Sequence, residues 1–539
     1  MKRLFLSIYL TFHCVYGLSL PSTITKKDVN FVDWITSAPD EISELKQLTD
    51  IEGTLPTALP SGTLIRNGAG LWELGEHTQY SHIFDGLAKL SGYRWDGQHI
   101  YFQTKFIQTN FYKKVKQKAR LVPTISTGSL LLDKKPLEGT WWQIAQAIYH
   151  SVTFDNTCVN VWQYDPQGPI TAVTDAPPRS QIHPGTLDTL SSSSTASPLQ
   201  KGPRWQYEFL ETAHPAYSWT DASVTYNVAV TLTPQGPQLV LVHEQKGVRT
   251  VVGGSVPSPD GVPYVHSFGL SDRHAIVVVQ PLRINVQDIR KMVTDGFLRS
   301  MEEKDTTRIV VWDLETEQIV LDQAIDEKIF FYHTVSATCE NDTVRIRLCA
   351  YRTPDIITSE DHFMRLEQCQ VSREARNRIS RGGTFCDVIC DLSAQQVQVS
   401  WIPTGGQGFE LPTTRYSRQP GNPRYVYAYG TYFGGSEDYD AWGLIKYEPD
   451  QPDEKKRIAA YFREESVYPS EPVFVPLGNN GEDDGILLSQ IYDGKRRETA
   501  LLMLDARTMK VLCKVWTGQR SAMDFHGWWY PESDLTFRV

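Results

Sequence analysis

The sequence predicts an all-β protein, either a propeller or a large barrel. Three observations predict it: short β-rich runs along most of the chain, tight polar turns between them, and no long helical interval. The clearest runs are "TYNVAVTLTPQGPQLVLVHEQ", "HAIVVVQPL", "TRIVVWDLETEQIVLDQA", "DTVRIRLCAYR" and "TALLMLDARTMKVLCKVW". In "VVWDLETEQIVL" and "LMLDARTMKVLC" an acid-bearing turn joins two strands, the pattern of an antiparallel hairpin. Such hairpins recur from before residue 100 to beyond 510. No crisp period accompanies them, so any repeats are divergent.

From the N-terminus, "MKRLFLSIYLTFHCVYGLSLPST" has a basic start (Lys2, Arg3), an apolar stretch from Leu4 to Val15, then the small residues Gly17 and Ser19. It reads as a secretory signal peptide over residues 1–19. An N-terminal extension over 20–49 and one large domain over 50–539 follow. Such a leader implies the secretory pathway and leaves a plastid or the extracellular space open as the destination. Two segments read as helices. "GTWWQIAQAIYHSV" sets Trp141, Ile144, Ala145 and Ile148 on one stripe, with Trp142 and Tyr149 beside it; spacing alone favours core packing. "NVQDIRKMVTDGFLRSMEEK" aligns Ile289, Met292, Val293 and Phe297 as one amphipathic helix. Residues 190–203, "LSSSSTASPLQKGP", read as a surface loop inside the domain.

The bulk numbers exclude some functions. The chain has 539 residues, 40% hydrophobic and 22% charged, so it is globular. A net charge of −10 argues against nucleic acid and against electrostatic docking on anionic lipid. Cys386 and Cys390 in "TFCDVIC" lack zinc spacing; the remaining thiols are expected to be mostly buried, with one disulfide allowed. Asn341 in "ENDT" is a formal glycosylation sequon but reads better as a hairpin turn.

Four of the thirteen histidines stand in unusual settings: His214 in "ETAHPAYSW", His266 in "PYVHSFGLSD", His333 in "FFYHTVSATCEND" and His526 in "DFHGWWYP". The plain reading of each is a half-buried core histidine. Neutral imidazole is also the commonest nitrogen ligand for first-row metals, and a propeller axis lets distant strands bring such rings together.

The chain resembles the carotenoid cleavage oxygenase family over roughly residues 50 to 535. The motifs run in order: "GTLIRNGAGLWELG" (with Ala69 where proline is usual), "YSHIFDGLAKLSGYRW", "FDNTCVNVWQY", "TAHP", "VHSFGLSDRHAIVVVQPL", "FFYHTVSATCENDTVRI", "GFELP", "RYVYAYG", "SEPVFVP", "EDDGILLSQIYD" and "DFHG". The resemblance implies a seven-bladed β-propeller with a helical and loop cap over the metal-bearing face. It implies Fe(II) held by His214, His266, His333 and His526, with Glu410 supporting His333 and Glu471 supporting His526. The third supporting acid is usually Glu; here Asp175 is expected opposite His266, one methylene short. His82 in "SHIFDG" is read as structural, Gly527 as leaving the backbone beside the metal bare, and Trp528 and Trp529 as packing.

The implied activity is dioxygenase cleavage of a C=C bond in a carotenoid or apocarotenoid, giving two carbonyl products from a hydrophobic polyene and O2. No reductant is needed, because the olefin supplies all four electrons. Three alternatives use the same scaffold: a retinoid isomerohydrolase-like enzyme, a stilbene-type phenol-cleaving enzyme, and a non-catalytic carotenoid-binding protein. A greasy substrate also turns the reading of residues 139–152 from core packing to peripheral membrane contact.

Overall fold

The β-rich runs pair as hairpins because their turns supply the left-handed residues that tight hairpins need. Asn341 and Asp342 have φ of 48° and 62° and join strands Phe330–Glu340 and Thr343–Tyr351. The sequon at Asn341 is therefore a turn, as expected. The computed structural model describes residues 26–535, except Glu76, Gln167, 360–364 and 380–381. The expected signal peptide, residues 1–19, lies outside the described residues.

Among the described residues, seven sheets of four to six strands follow one another along the chain. Blade 1 covers 62–106, blade 2 160–193, blade 3 207–257, blade 4 269–325, blade 5 330–402, blade 6 408–462 and blade 7 467–516. Each packs on the next, and blade 7 returns to blade 1, so the molecule is a seven-bladed β-propeller. Two three-stranded sheets and short helices form the cap.

Both ends of the chain close the ring. Strand Asp524–Pro531 pairs antiparallel with Gly62–Leu71 and becomes the innermost strand of blade 1. Ile42–Gln47 is the outermost strand of blade 1, and Ile51–Gly53 the outermost strand of blade 7. Residues 42–47 fall in the stretch read as an extension, yet they belong to a blade. The preceding helix, Lys26–Trp34, sets Trp34 stacked on Tyr468 and edge-on to Trp442.

Three local expectations change. The amphipathic pattern over 285–304 does not form one helix: Ile289–Thr294 and Phe297–Ser300 are separated at Gly296, whose φ is 85°. A Cβ at Gly296 would stand 2.4 Å from the Thr127 carbonyl oxygen, so tight loop packing there demands glycine and breaks the helix. The low-complexity stretch is partly strand: Thr189–Ser193 is the edge of blade 2, and Leu199–Gln200 pairs with Val248–Pro257. No disulfide occurs among the described residues; the seven cysteines there are free, and all but Cys339 are buried.

Helix Trp141–Val152 forms where expected, begun by a capping box between Thr140 and Gln143. Its outlook is the reverse of what spacing alone favours. Ala147 and His150 are buried, while Trp141 is 87% and Trp142 72% exposed.

Candidate metal centre

Each blade sends one group to the axis. His214 lies between the two innermost strand segments of blade 3, and His266 just ahead of Gly269–Leu270 in blade 4. His333 is on the inner strand of blade 5 and His526 on the closing strand of blade 1. Asp175, Glu410 and Glu471 come from blades 2, 6 and 7. Register breaks flank several of them: at Val173/Thr174 before Asp175, around His333, after Glu410, and at Asn67/Gly68 opposite the start of the closing strand. A bulge re-aims the side chains beside it, here toward the axis.

The four imidazoles converge. One nitrogen from each of His214, His266, His333 and His526 lies within 4.8 Å of the others. His214 Nε2 and His266 Nε2 are 3.1 Å apart, and His333 Nε2 and His526 Nε2 are 3.2 Å apart. All three acids meet the partners expected of them. His266 Nδ1 is 2.5 Å from Asp175 Oδ2, His333 Nδ1 2.6 Å from Glu410 Oε2, and His526 Nδ1 2.8 Å from Glu471 Oε1.

These contacts fix the chemistry of the cluster. A ring whose Nδ1–H donates to a carboxylate keeps a lone pair on Nε2. Lone pairs therefore face one another at His333 and His526, which is repulsive unless a cation stands between them. Burial pushes His333 down to about 4, although Glu410 pulls upward, and burial with three neighbouring imidazoles holds His214 well below the usual range. Protons are thus disfavoured as that cation, and a divalent metal suits the donor set.

A further layer holds the acids. Tyr351 donates to Glu410 Oε1 at 2.8 Å. Arg66, fully buried in "GTLIRNGAG", donates to Glu471 at 2.8 Å, to Asp524 at 2.9 and 3.0 Å, and to the Phe525 carbonyl at 3.0 Å. Burial raises the Glu471 carboxyl, but His526, Arg66 and the Gly527 N–H outweigh it and hold the group below its ordinary value. Sequence reasoning missed Arg66, Asp524 and Tyr351; the available signal was one charged residue inside an apolar and glycine-rich strand.

Other expectations fare as follows. His82 is buried and accepts from the Phe84 N–H, starting a short 3-10 turn, so it is structural. Gly527 is demanded by the neighbouring strand and not by the metal side: a Cβ there would lie 2.4 Å from the Ile65 carbonyl oxygen. Trp529 packs in the core with Leu64 and Tyr93, while Trp528 is half-buried beneath the Arg418 guanidinium.

Cavities meet the cluster from two sides. One, of about 770 Å³, is largely apolar and reaches His266, His333 and His526 past Tyr264, Tyr332 and Phe525. Its lining extends to Ile148 and Val152 of the exposed helix. The other, of about 180 Å³, is more polar and is bounded by His214, His333 and His526.

A family model described as retinal pigment epithelial membrane protein matches residues 35–531. The chain belongs to this family, the carotenoid cleavage oxygenases. It is 24% identical over 534 residues to human β,β-carotene 15,15'-dioxygenase, covering 90% of this chain and 92% of the relative. It is 25% identical over 535 residues to a carotenoid isomerooxygenase of Galleria mellonella, covering 92% and 96%. Among solved structures, a variant of Synechocystis apocarotenoid oxygenase superposes with a TM-score of 0.75 at 20% identity, covering 94% of this chain and 99% of that one. The cobalt-substituted form of the Synechocystis protein gives 0.72 at 19%, with the same coverage. At such identity these neighbours speak for the fold of this chain.

Proposed function

We propose that the protein is an Fe(II)-dependent dioxygenase that cleaves a C=C bond of a carotenoid or apocarotenoid into two carbonyl products. The observation that carries this reading is the junction of the four-histidine cluster with an apolar cavity of about 770 Å³. The metal ligands are His214, His266, His333 and His526; Asp175, Glu410 and Glu471 are their supports. The family relatives named as carotene dioxygenase and apocarotenoid oxygenase support the same chemistry.

Iron bound by these residues would supply activation of O2; the chain's own side chains orient the ligands and line the substrate path. Three carboxylates fix the Nε2 lone pairs of His266, His333 and His526 inward and keep those rings from turning. The four imidazoles of His214, His266, His333 and His526 would hold the metal as neutral ligands. Tyr264, Tyr332 and Phe525 wall the inner end of the cavity, so a rigid polyene threads past the cluster with water excluded. No side chain is required as a general acid or base, and each supporting acid is already bonded to an imidazole.

A polyene is carried by membranes, so its doorway belongs at a bilayer. The reading assigns that contact to helix Trp141–Val152: its tryptophans are exposed, and Ile148 and Val152 continue into the cavity.

The deciding experiment offers anaerobically prepared Fe(II) protein β-carotene, an apocarotenal, a retinyl ester and resveratrol under oxygen-18 gas. Two carbonyl products bearing the label are expected from a carotenoid or apocarotenoid. A geometric isomer without label would overturn the reading in favour of isomerisation, and labelled phenolic aldehydes from resveratrol alone would replace the substrate class.

A further inference from the structure

The smaller cavity has a chemistry of its own. The histidine cluster walls it at one end, and Thr334, Ser336 and Arg418 contribute polar groups to its lining. Arg418 contacts two indoles, its guanidinium carbon 4.2 Å from the Trp162 ring centre and 4.5 Å from that of Trp528. It donates to the Val161 carbonyl at 2.6 Å and to the Tyr530 hydroxyl at 3.4 Å. A guanidinium has five N–H donors in a planar fork, so donors remain.

We propose that this polar chamber binds a small anion of the carboxylate or bicarbonate class, with Arg418 as its cation. Arg418 is half-buried, whereas the buried Arg66, Arg249, Arg347 and Arg376 are compensated by acids: Arg66 by Glu471 and Asp524, Arg249 by Glu208 and Glu211, Arg347 by Asp387, and Arg376 by Asp440. Arg418 has no carboxylate partner among the described residues. The two ring contacts and the bonds to Val161 and Tyr530 restrain its planar fork, which suits two-pronged recognition of an oxyanion and reduces the freedom lost on binding. The only acid in the chamber wall, Glu471, has both oxygens engaged, one by His526 and one by Arg66 and the Gly527 N–H. About 180 Å³ accommodates a solute of three or four heavy atoms with a few waters at roughly 30 Å³ each, and excludes a polyene. The chamber and the apolar cavity share His333 and His526, so the anion would sit on the opposite side of the cluster from a hydrophobic substrate. The inference stands on the protein's own side chains and does not depend on which polyene is cleaved.

The test uses the full-length metal-loaded protein, titrated at constant ionic strength with formate and, separately, bicarbonate, and followed by calorimetry. Saturable binding of at least one is expected. Arg418→Gln should weaken it at least tenfold, and Arg418→Lys, which keeps the charge but loses the fork, should fall between. Leu210 lines the apolar cavity and not the chamber, so Leu210→Trp should leave the affinity unchanged. Absence of saturable binding, equal affinity in Arg418→Gln, or loss of binding in Leu210→Trp overturns the proposal. Should Arg418→Gln fail to fold, iodide-soaked wild-type crystals decide: an anomalous peak against the Arg418 guanidinium is expected, and none there overturns it.

Discussion

Asp175 is one methylene shorter than the glutamates serving His333 and His526, and it still closes on His266. Its second oxygen accepts the Ala213 N–H at 3.0 Å, so a bond to the backbone beside His214 fixes the carboxylate where its short stem can reach. Asp175→Asn keeps the size but loses the anionic acceptor. It should weaken metal affinity by about 10- to 100-fold, read by competition with a chelator. Arg66 carries a different load, since it neutralises two buried acids. Arg66→Met should cost about 3–5 kcal/mol of stability in denaturant unfolding, because Glu471 and Asp524 would remain as uncompensated charges. At this scale the four histidines and three acids were legible through ordered motifs, not through spacing, because the fold brings together residues that the sequence keeps far apart. Arg66 was not legible: nothing local in a strand says that an arginine points inward to a partner on another blade.

Helix Trp141–Val152 was legible as a helix, but its outlook was legible only through the resemblance and not from spacing. Periodicity gives a stripe, and a stripe does not say whether core or lipid covers it. The buried side instead holds Ala147 and His150, with the His150 ring 3.3 Å from the Lys114 ammonium. Replacing Trp141, Trp142 and Ile148 together by Ser should release the protein from liposomes in flotation while leaving iron bound. Burial first, then Lys114 and Lys118, lowers His150 to about 4 from its ordinary 6.5. The unfolded chain therefore binds the proton more readily than the folded one between those values. The helix's docking is complete above about pH 6.5 and weakens as pH falls toward 4, which amide hydrogen exchange across residues 141–152 should report as lower protection at pH 5 than at pH 7 once the slower intrinsic exchange at pH 5 is divided out. The pattern over 285–304 misled for a related reason: it records which residues are apolar, not that the loop at Thr127 leaves no room for a side chain at Gly296.

For the whole molecule, β class and hairpins were plain in the sequence, while the count of seven rested on resemblance. The blades differ in strand number and loop length, which erases a readable period. Ring closure brings strand Asp524–Pro531 to the centre, while Ile42–Gln47 and Ile51–Gly53 edge blades 1 and 7 at the rim. A chain ending at residue 520 loses the innermost strand of blade 1, His526 and Asp524 together. It should neither retain iron nor unfold in a single cooperative step, by metal analysis and calorimetry.

The order in which these parts leave the ribosome follows from the same closure. His214, His266 and His333, and the carboxylates Asp175, Glu410 and Glu471, are synthesised before His526, which arrives with the last of the described strands. A nascent chain can therefore fold several blades while the fourth ligand is still inside the exit tunnel. A four-histidine metal site would therefore wait for the closing strand, and a chain terminated before residue 526 would lack its fourth ring.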